Sequence, residues 1–161
     1  MSSTGEQQRA VDGTKLIPLL YYIQKIESDI HELDNDVVVD KIIETEFSPG
    51  AIFILNKDPM EMQEFKAWLA GYRSQYDYLD ISFHNPVVAP SDPEGRGGTV
   101  GLTARWKGQG KNDGILYESQ LVAIFEVTWF DDPGRGGPAH GERMITKAFG
   151  AFGDINPATE G

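Results

Sequence analysis

The chain contains no cysteine, which removes disulfides, thiolate nucleophiles and zinc-thiolate sites together and is compatible with a reducing compartment. Histidine is scarce as well: His31, His84 and His140 are the three present. Their separations match no ligand spacing, so no metal site is expected. Basic residues are in short supply, with 14 Lys plus Arg against 25 Asp plus Glu and a formal net charge of −11. Such a balance repels phosphate backbones and anionic lipid surfaces, and excludes nucleic acid and membrane as expected partners. No apolar run approaches membrane-spanning length, and the opening MSSTGEQQRAVDG lacks the apolar core of a signal peptide; a soluble, cytoplasmic protein is expected. Two Gly-rich segments, GRGGTVG and GQGKNDG, match neither GxGxxG nor GxxxxGK[ST], and no helix pattern follows them to hold an anion. They read as hairpins, and no cofactor is expected. A GxSxG nucleophile elbow is missing too.

What is present is 161 residues with 40% apolar content, the size of one domain with one core. Residues 1–13 and 153–161 are polar and read as flexible tails around a single domain, 14–152. Thr14 can cap a helix running to about Leu33, with Leu16, Leu19, Leu20, Ile23, Ile26, Ile30 and Leu33 on one stripe. Asn35 or Asp36 can cap a second helix, from Val37 to about Phe47, which Ser48-Pro49-Gly50 stops. A strand follows over Ala51–Asn56, then a third helix from Met60 to about Tyr76 that turns Phe65, Trp68, Leu69 and Tyr72 inward.

Beyond residue 76 the period changes from helical to two. Leu79, Ile81 and Phe83 alternate with Asp80, Ser82 and His84, and Val100 to Trp106 alternate with Gly101 to Lys107. Tyr117–Phe130 and Arg143 to about Phe152 complete four long strands joined by Gly- and Pro-rich hairpins. The fold class is α+β, with three N-terminal helices covering one face of a curved, mainly antiparallel sheet.

Within the last strand pair, Glu126 sits in LVAIFEVTWF, where its neighbours are apolar or aromatic apart from Thr128. A carboxylate there needs a buried partner, a polar cavity or a proton of its own. If Glu126 is structural, it either pairs with a neighbouring strand, Arg105 and Arg143 being the candidates, or is exposed on the outer face of the sheet. His84 shares a strand face with Asp80 and Ser82, a position from which it can act in acid-base chemistry. His31, in the polar end of a helix, and His140, in a Gly-rich loop, are poor candidates. The aromatic set Tyr22, Phe53, Trp68, Trp106, Phe125 and Trp129 suits either a core or the cradle of a greasy ligand.

This element order, with LTARWKGQGKNDG leading into YESQLVAIFEV and the closing strand ERMITKAFGAF, resembles the nuclear-transport-factor-two-like superfamily, and within it the SnoaL-like cyclases and isomerases. The resemblance spans about residues 14–152. It implies a cone-shaped barrel, a homodimer formed through the outer sheet face, and a pocket between sheet and helices. Glu126 is placed similarly to the strand carboxylic acid of the ketosteroid isomerase branch, and Tyr21 or Tyr22 to its helical oxyanion donor. Asp58-Pro59 resembles that branch's base only loosely. His84 in DISFHNP is placed similarly to a histidine of the scytalone dehydratase branch, whose second histidine has no counterpart. Asn56 resembles the water-positioning Asn of the limonene-epoxide hydrolase branch, but Ile54 and Arg105-Trp106-Lys107 depart from the rest of that triad.

The resulting expectation is a cofactor-independent enzyme that isomerises, cyclises or dehydrates a polyketide or terpenoid intermediate of secondary metabolism. His84 and Glu126 are its catalytic candidates, and Tyr22, Asn56, Arg105 and Trp106 contact the hydrophobic substrate. The alternatives are a non-catalytic binding or dimerisation module and an epoxide or lactone hydrolase.

Overall fold

A computed structural model describes residues 16–131 and 142–158. Helices α1 (Leu19–Glu32) and α2 (Asp36–Glu46) are followed by strands β1 (Phe47–Leu55) and β2 (Asp58–Met60) and by helix α3 (Met62–Arg73). Strands β3 (Tyr76–Pro90), β4 (Gly98–Gly110), β5 (Leu116–Phe130), β6 (Glu142–Phe152) and β7 (Asn156–Pro157) complete the chain.

Helix α1 begins one residue after Pro18, which is extended (φ −56°, ψ 145°) while its carbonyl accepts from the Tyr22 N–H. A proline disfavours helix in the residue before it, so Leu16 and Ile17 stay outside the helix; the expected cap at Thr14 lies outside the described residues. The buried stripe consists of Leu19, Ile23, Ile26 and Ile30, joined by Glu27 and His31. Asn35 caps α2 by accepting from the Val38 N–H at 3.2 Å. Glu61 and Glu64 form a reciprocal capping box at the start of α3.

β1 starts at Phe47, four residues earlier than the Pro49-Gly50 pair suggests. A register shift between Phe47 and Ile52 against β6 accommodates the two breakers inside the strand. Strand β2 answers β1 across a tight turn in which Asn56 and Lys57 both have positive φ, 52° and 80°.

The sheet has seven strands in the order β2-β1-β6-β5-β4-β3, with β7 added to β5. β3 to β6 form an antiparallel meander and β1 joins β6 in parallel. Its outermost strands, β2 and β3, do not pair with each other among the described residues, so the mixed sheet is open. Residues 153–158 continue along the sheet: Asn156 and Pro157 pair with Glu118 and Tyr117, and the Ala158 N–H donates to the Leu116 carbonyl.

Alternation assigns the two faces. Val100, Leu102, Ala104 and Trp106 of β4, and Ser119, Leu121, Ala123, Phe125 and Val127 of β5, are buried beneath the helices. Val122, Ile124 and Thr128 point outward and are exposed. The core continues through Phe47, Phe53 and Phe65, with the Phe53 and Phe65 rings stacked at 4.4 Å. Each such side chain contributes about 1.5–3 kcal/mol by leaving water.

Candidate functional site

Two ionisable groups buried against the sheet come from α1. Glu27 and His31, one helical turn apart, extend the stripe set by Ile23 and Ile30 and therefore face the sheet. Both are nearly inaccessible, at 6% and 5% exposure, and the His31 Nε2 lies 3.5 Å from Glu27 Oε1. From α3, the Tyr72 hydroxyl makes a short hydrogen bond with His31 Nδ1. Tyr72 is wedged among aromatics, with ring centroids 5.1 Å from Trp68, 5.6 Å from Phe152 and 5.8 Å from Trp106.

Glu27 and His31 open onto a cavity of about 50 Å³ whose other walls include Phe65, Trp68, Leu121 and Phe152. Apart from this pair, the side chains around it are apolar or aromatic. Burial pushes the Tyr72 hydroxyl well above the usual tyrosine range, and the Glu27 carboxylate adds to the effect, so the phenol keeps its proton. The fully buried indole N–H of Trp106 is near enough to oppose that shift, yet its geometry falls short of a hydrogen bond. A carboxylate and an imidazole in contact within an apolar enclosure can exchange a proton with a bound molecule, because little water competes for it.

The residues singled out from sequence occupy different places. Glu126 projects from the outer face of β5 with 43% of its side chain exposed, and its partner is Lys147 of β6 at 3.8 Å, rather than Arg105 or Arg143. It escapes burial because the whole face to which it belongs is turned from the helices. His84, also on the outer face and exposed, lies 3.2 Å from the Ser82 hydroxyl. The two are four residues apart in register along β4, Thr99 facing Glu126 and Thr103 facing His84, so they are not brought together.

Tyr22 is packed away from the cavity: its hydroxyl donates to Glu46 at 2.9 Å, and the Arg143 guanidinium covers its ring at 5.2 Å. Asn56 uses both ends of its amide on the Phe152 backbone, accepting from its N–H at 2.8 Å and donating to its carbonyl at 3.1 Å. Arg105 is exposed beside a surface groove with Glu118 and Asp154. Trp106 alone of the expected binding residues lies at the site, behind Tyr72. His140 is outside the described residues. Glu27 and His31 were missed as a pair, although their spacing of four and their coincidence with the Ile23-Ile30 stripe are readable in the sequence.

Among the described residues no three His, Asp or Glu side chains converge as metal ligands, and no helix is long and apolar enough to cross a membrane. Three helices packed on a mixed sheet give the chain the fold of solved structures described as SnoaL-like and NTF2-like. Solved structures with this fold include AusH from Aspergillus nidulans, at 16% identity, TM-score 0.59, and 83% of this chain covered against 82% of that one. Another is the hexachlorocyclohexane dehydrochlorinase LinA-type3 from Novosphingobium barchaimii LL02, at 10% identity, TM-score 0.60, and 87% and 90% covered. A SnoaL-like family protein from Agrobacterium tumefaciens str. C58 aligns at 8% identity, TM-score 0.55, and 83% and 97% covered. At such low identities the TM-scores show a shared fold alone. No family model matches the sequence, and no curated protein matches it.

Proposed function

We propose that the protein is a cofactor-independent acid-base enzyme that moves a proton on a hydrophobic small molecule held between α1, α3 and the sheet. The observation that carries this reading is the Glu27–His31 pair, buried where a structural protein has no use for it and facing an otherwise apolar cavity. Buried ionisable groups cost stability and cluster at functional sites, which supports the reading. Proton transfer next to a carbonyl or a leaving group covers isomerisation, cyclisation and dehydration, and the aromatic lining suits a polyketide or terpenoid skeleton. The fold shared with a dehydrochlorinase and a SnoaL-like protein supports the same class.

The test is incubation of the full chain with metabolite extracts in deuterated water, with products read by mass spectrometry. The wild type is expected to yield a product isomeric with its precursor, or lighter by water, carrying solvent deuterium where proton return occurs. Glu27→Gln and His31→Gln should lose it. Equal turnover by these variants, with loss instead in Glu126→Gln or His84→Ala, would return the chemistry to the outer face.

A second reading, a non-catalytic binding module, draws support from the cavity's size. About 50 Å³ is well below the roughly 300–1,000 Å³ of ordinary ligand sites, and aromatic rings occupy much of the space. On the enzyme reading, Trp68 and Phe152 must move to admit substrate. Homodimerisation belongs to the same proposal. Ile54, Phe149, Ile124, Gly101 and Val87 align across the outer face as one apolar row, beside the charged Glu126–Lys147 row. A second copy would cover this row, and Ile124→Lys should convert a dimer to a monomer in light scattering.

A further inference from the structure

We propose that Tyr72 is the positioning residue of this site: its hydroxyl donates to Nδ1 of His31, leaving the imidazole neutral with its N–H on Nε2, turned to Glu27. The Glu27 carboxylate is then the group that takes the substrate proton. This rests on the acid-base reading above and assigns its roles.

Three observations carry the assignment. The Tyr72 hydroxyl is hydrogen-bonded to Nδ1, while Glu27 faces Nε2, so each ring nitrogen has one defined neighbour. A phenol buried among Trp68, Trp106 and Phe152 holds its single proton, and that proton must be directed at an acceptor; Nδ1 is the acceptor provided. On the other side, 3.5 Å is longer than the 2.7–2.9 Å typical of a charged N–H to carboxylate contact, which argues against an imidazolium clamped on Glu27. The charged and titratable groups around this array are Glu27 from α1, Arg73 from α3 and Tyr76 from β3.

In the chemical step a C–H bond of the substrate breaks and an O–H bond forms on Glu27. The electron pair stays on the substrate, moving to its carbonyl or expelling its leaving group. The His31 N–H steadies the carboxylate beforehand and is withdrawn from it as Glu27 becomes neutral. Tyr72 touches neither the substrate nor Glu27, and acts by fixing which nitrogen of His31 carries hydrogen.

The experiment uses the full chain with ¹⁵N-labelled histidine and no ligand, with His31→Gln to assign the resonances. At pH about 8, where an imidazole is ordinarily neutral, His31 is expected to show a protonated Nε2 and an unprotonated Nδ1. The downfield proton bridging Tyr72 and His31 should lack one-bond coupling to ¹⁵N. Tyr72→Phe should abolish that proton, whereas Tyr76→Phe, which alters another tyrosine packed on Trp106, should retain it. One-bond coupling at Nδ1, a doubly protonated ring, or a bridging proton that survives Tyr72→Phe would overturn the assignment. None of these outcomes touches the enzyme reading, which the turnover of Glu27→Gln and His31→Gln decides separately.

Discussion

Replacing the buried polar triad by apolar groups, in the variant Glu27→Leu/His31→Leu/Tyr72→Phe, should make the protein more stable. Glu27 and His31 have almost no access to water, and their 3.5 Å separation recovers little of what desolvation costs them. Exchanging such pairs for hydrophobic side chains of similar volume typically adds about 1–4 kcal/mol. The Tyr72 hydroxyl must be removed with them, because losing His31 alone would strand it at about 1–3 kcal/mol. With a urea m-value near 2 kcal/mol/M, the unfolding midpoint should rise by about 0.5–2 M. Glu27→Leu alone, which leaves His31 facing a hydrocarbon, should fall well short of this gain. The measurement is equilibrium urea unfolding followed by tryptophan fluorescence and circular dichroism. A triple variant that unfolds at lower urea with an unchanged m-value would refute the claim that the triad is held against stability for the sake of function.

Alkali offers an independent check on the buried phenols. Tyr22 and Tyr72 are both pushed up by burial, Tyr22 also by Glu46, from a reference of 10.0, so each stabilises the fold fully below pH 10 and loses that contribution as pH rises further. Each should cost about 1.4 kcal/mol by pH 11, and Tyr72→Phe should flatten the fall in urea midpoint. Lys57→Gly relieves a left-handed residue (φ 80°) in the β1–β2 turn and should add about 0.5–1 kcal/mol, seen as a higher melting temperature. Gly98→Ala would place its Cβ 2.5 Å from the Ala89 carbonyl oxygen at φ 151°, and should remove about 2 kcal/mol or more in the same assay. Glu126→Gln and His84→Ala, both at exposed positions, should shift stability by no more than about 0.5 kcal/mol.

Helices and long strands were legible because their periods are strong: the α1 stripe and the alternation of β4 and β5 match the observed burial. Element ends were harder. Pro18 moved the start of α1 inward, and Pro49-Gly50 was absorbed by a register shift where a break was expected. The two-residue β7 carries no pattern of its own. Glu126 misled for a definable reason. Residues on both faces of β5 are apolar, because Val122 and Ile124 form an outer row while Leu121, Ala123 and Phe125 form the core, and a strand apolar on both faces imitates a buried one. Glu27 and His31 were hidden by the opposite error. Glu27 was passed over and His31 was assigned to the polar end of a helix, although the angle between them and Ile23 places both inside.

The carboxylate and the imidazole share a single helix, whereas the phenol that orients the imidazole arrives from another. Spacing along a helix is set by local backbone geometry and survives shifts between elements. If α3 swings outward to admit a guest, the pair keeps its geometry while the imidazole loses its tether. Admission of the guest and orientation of the imidazole would then be coupled, with no change in the reacting groups themselves.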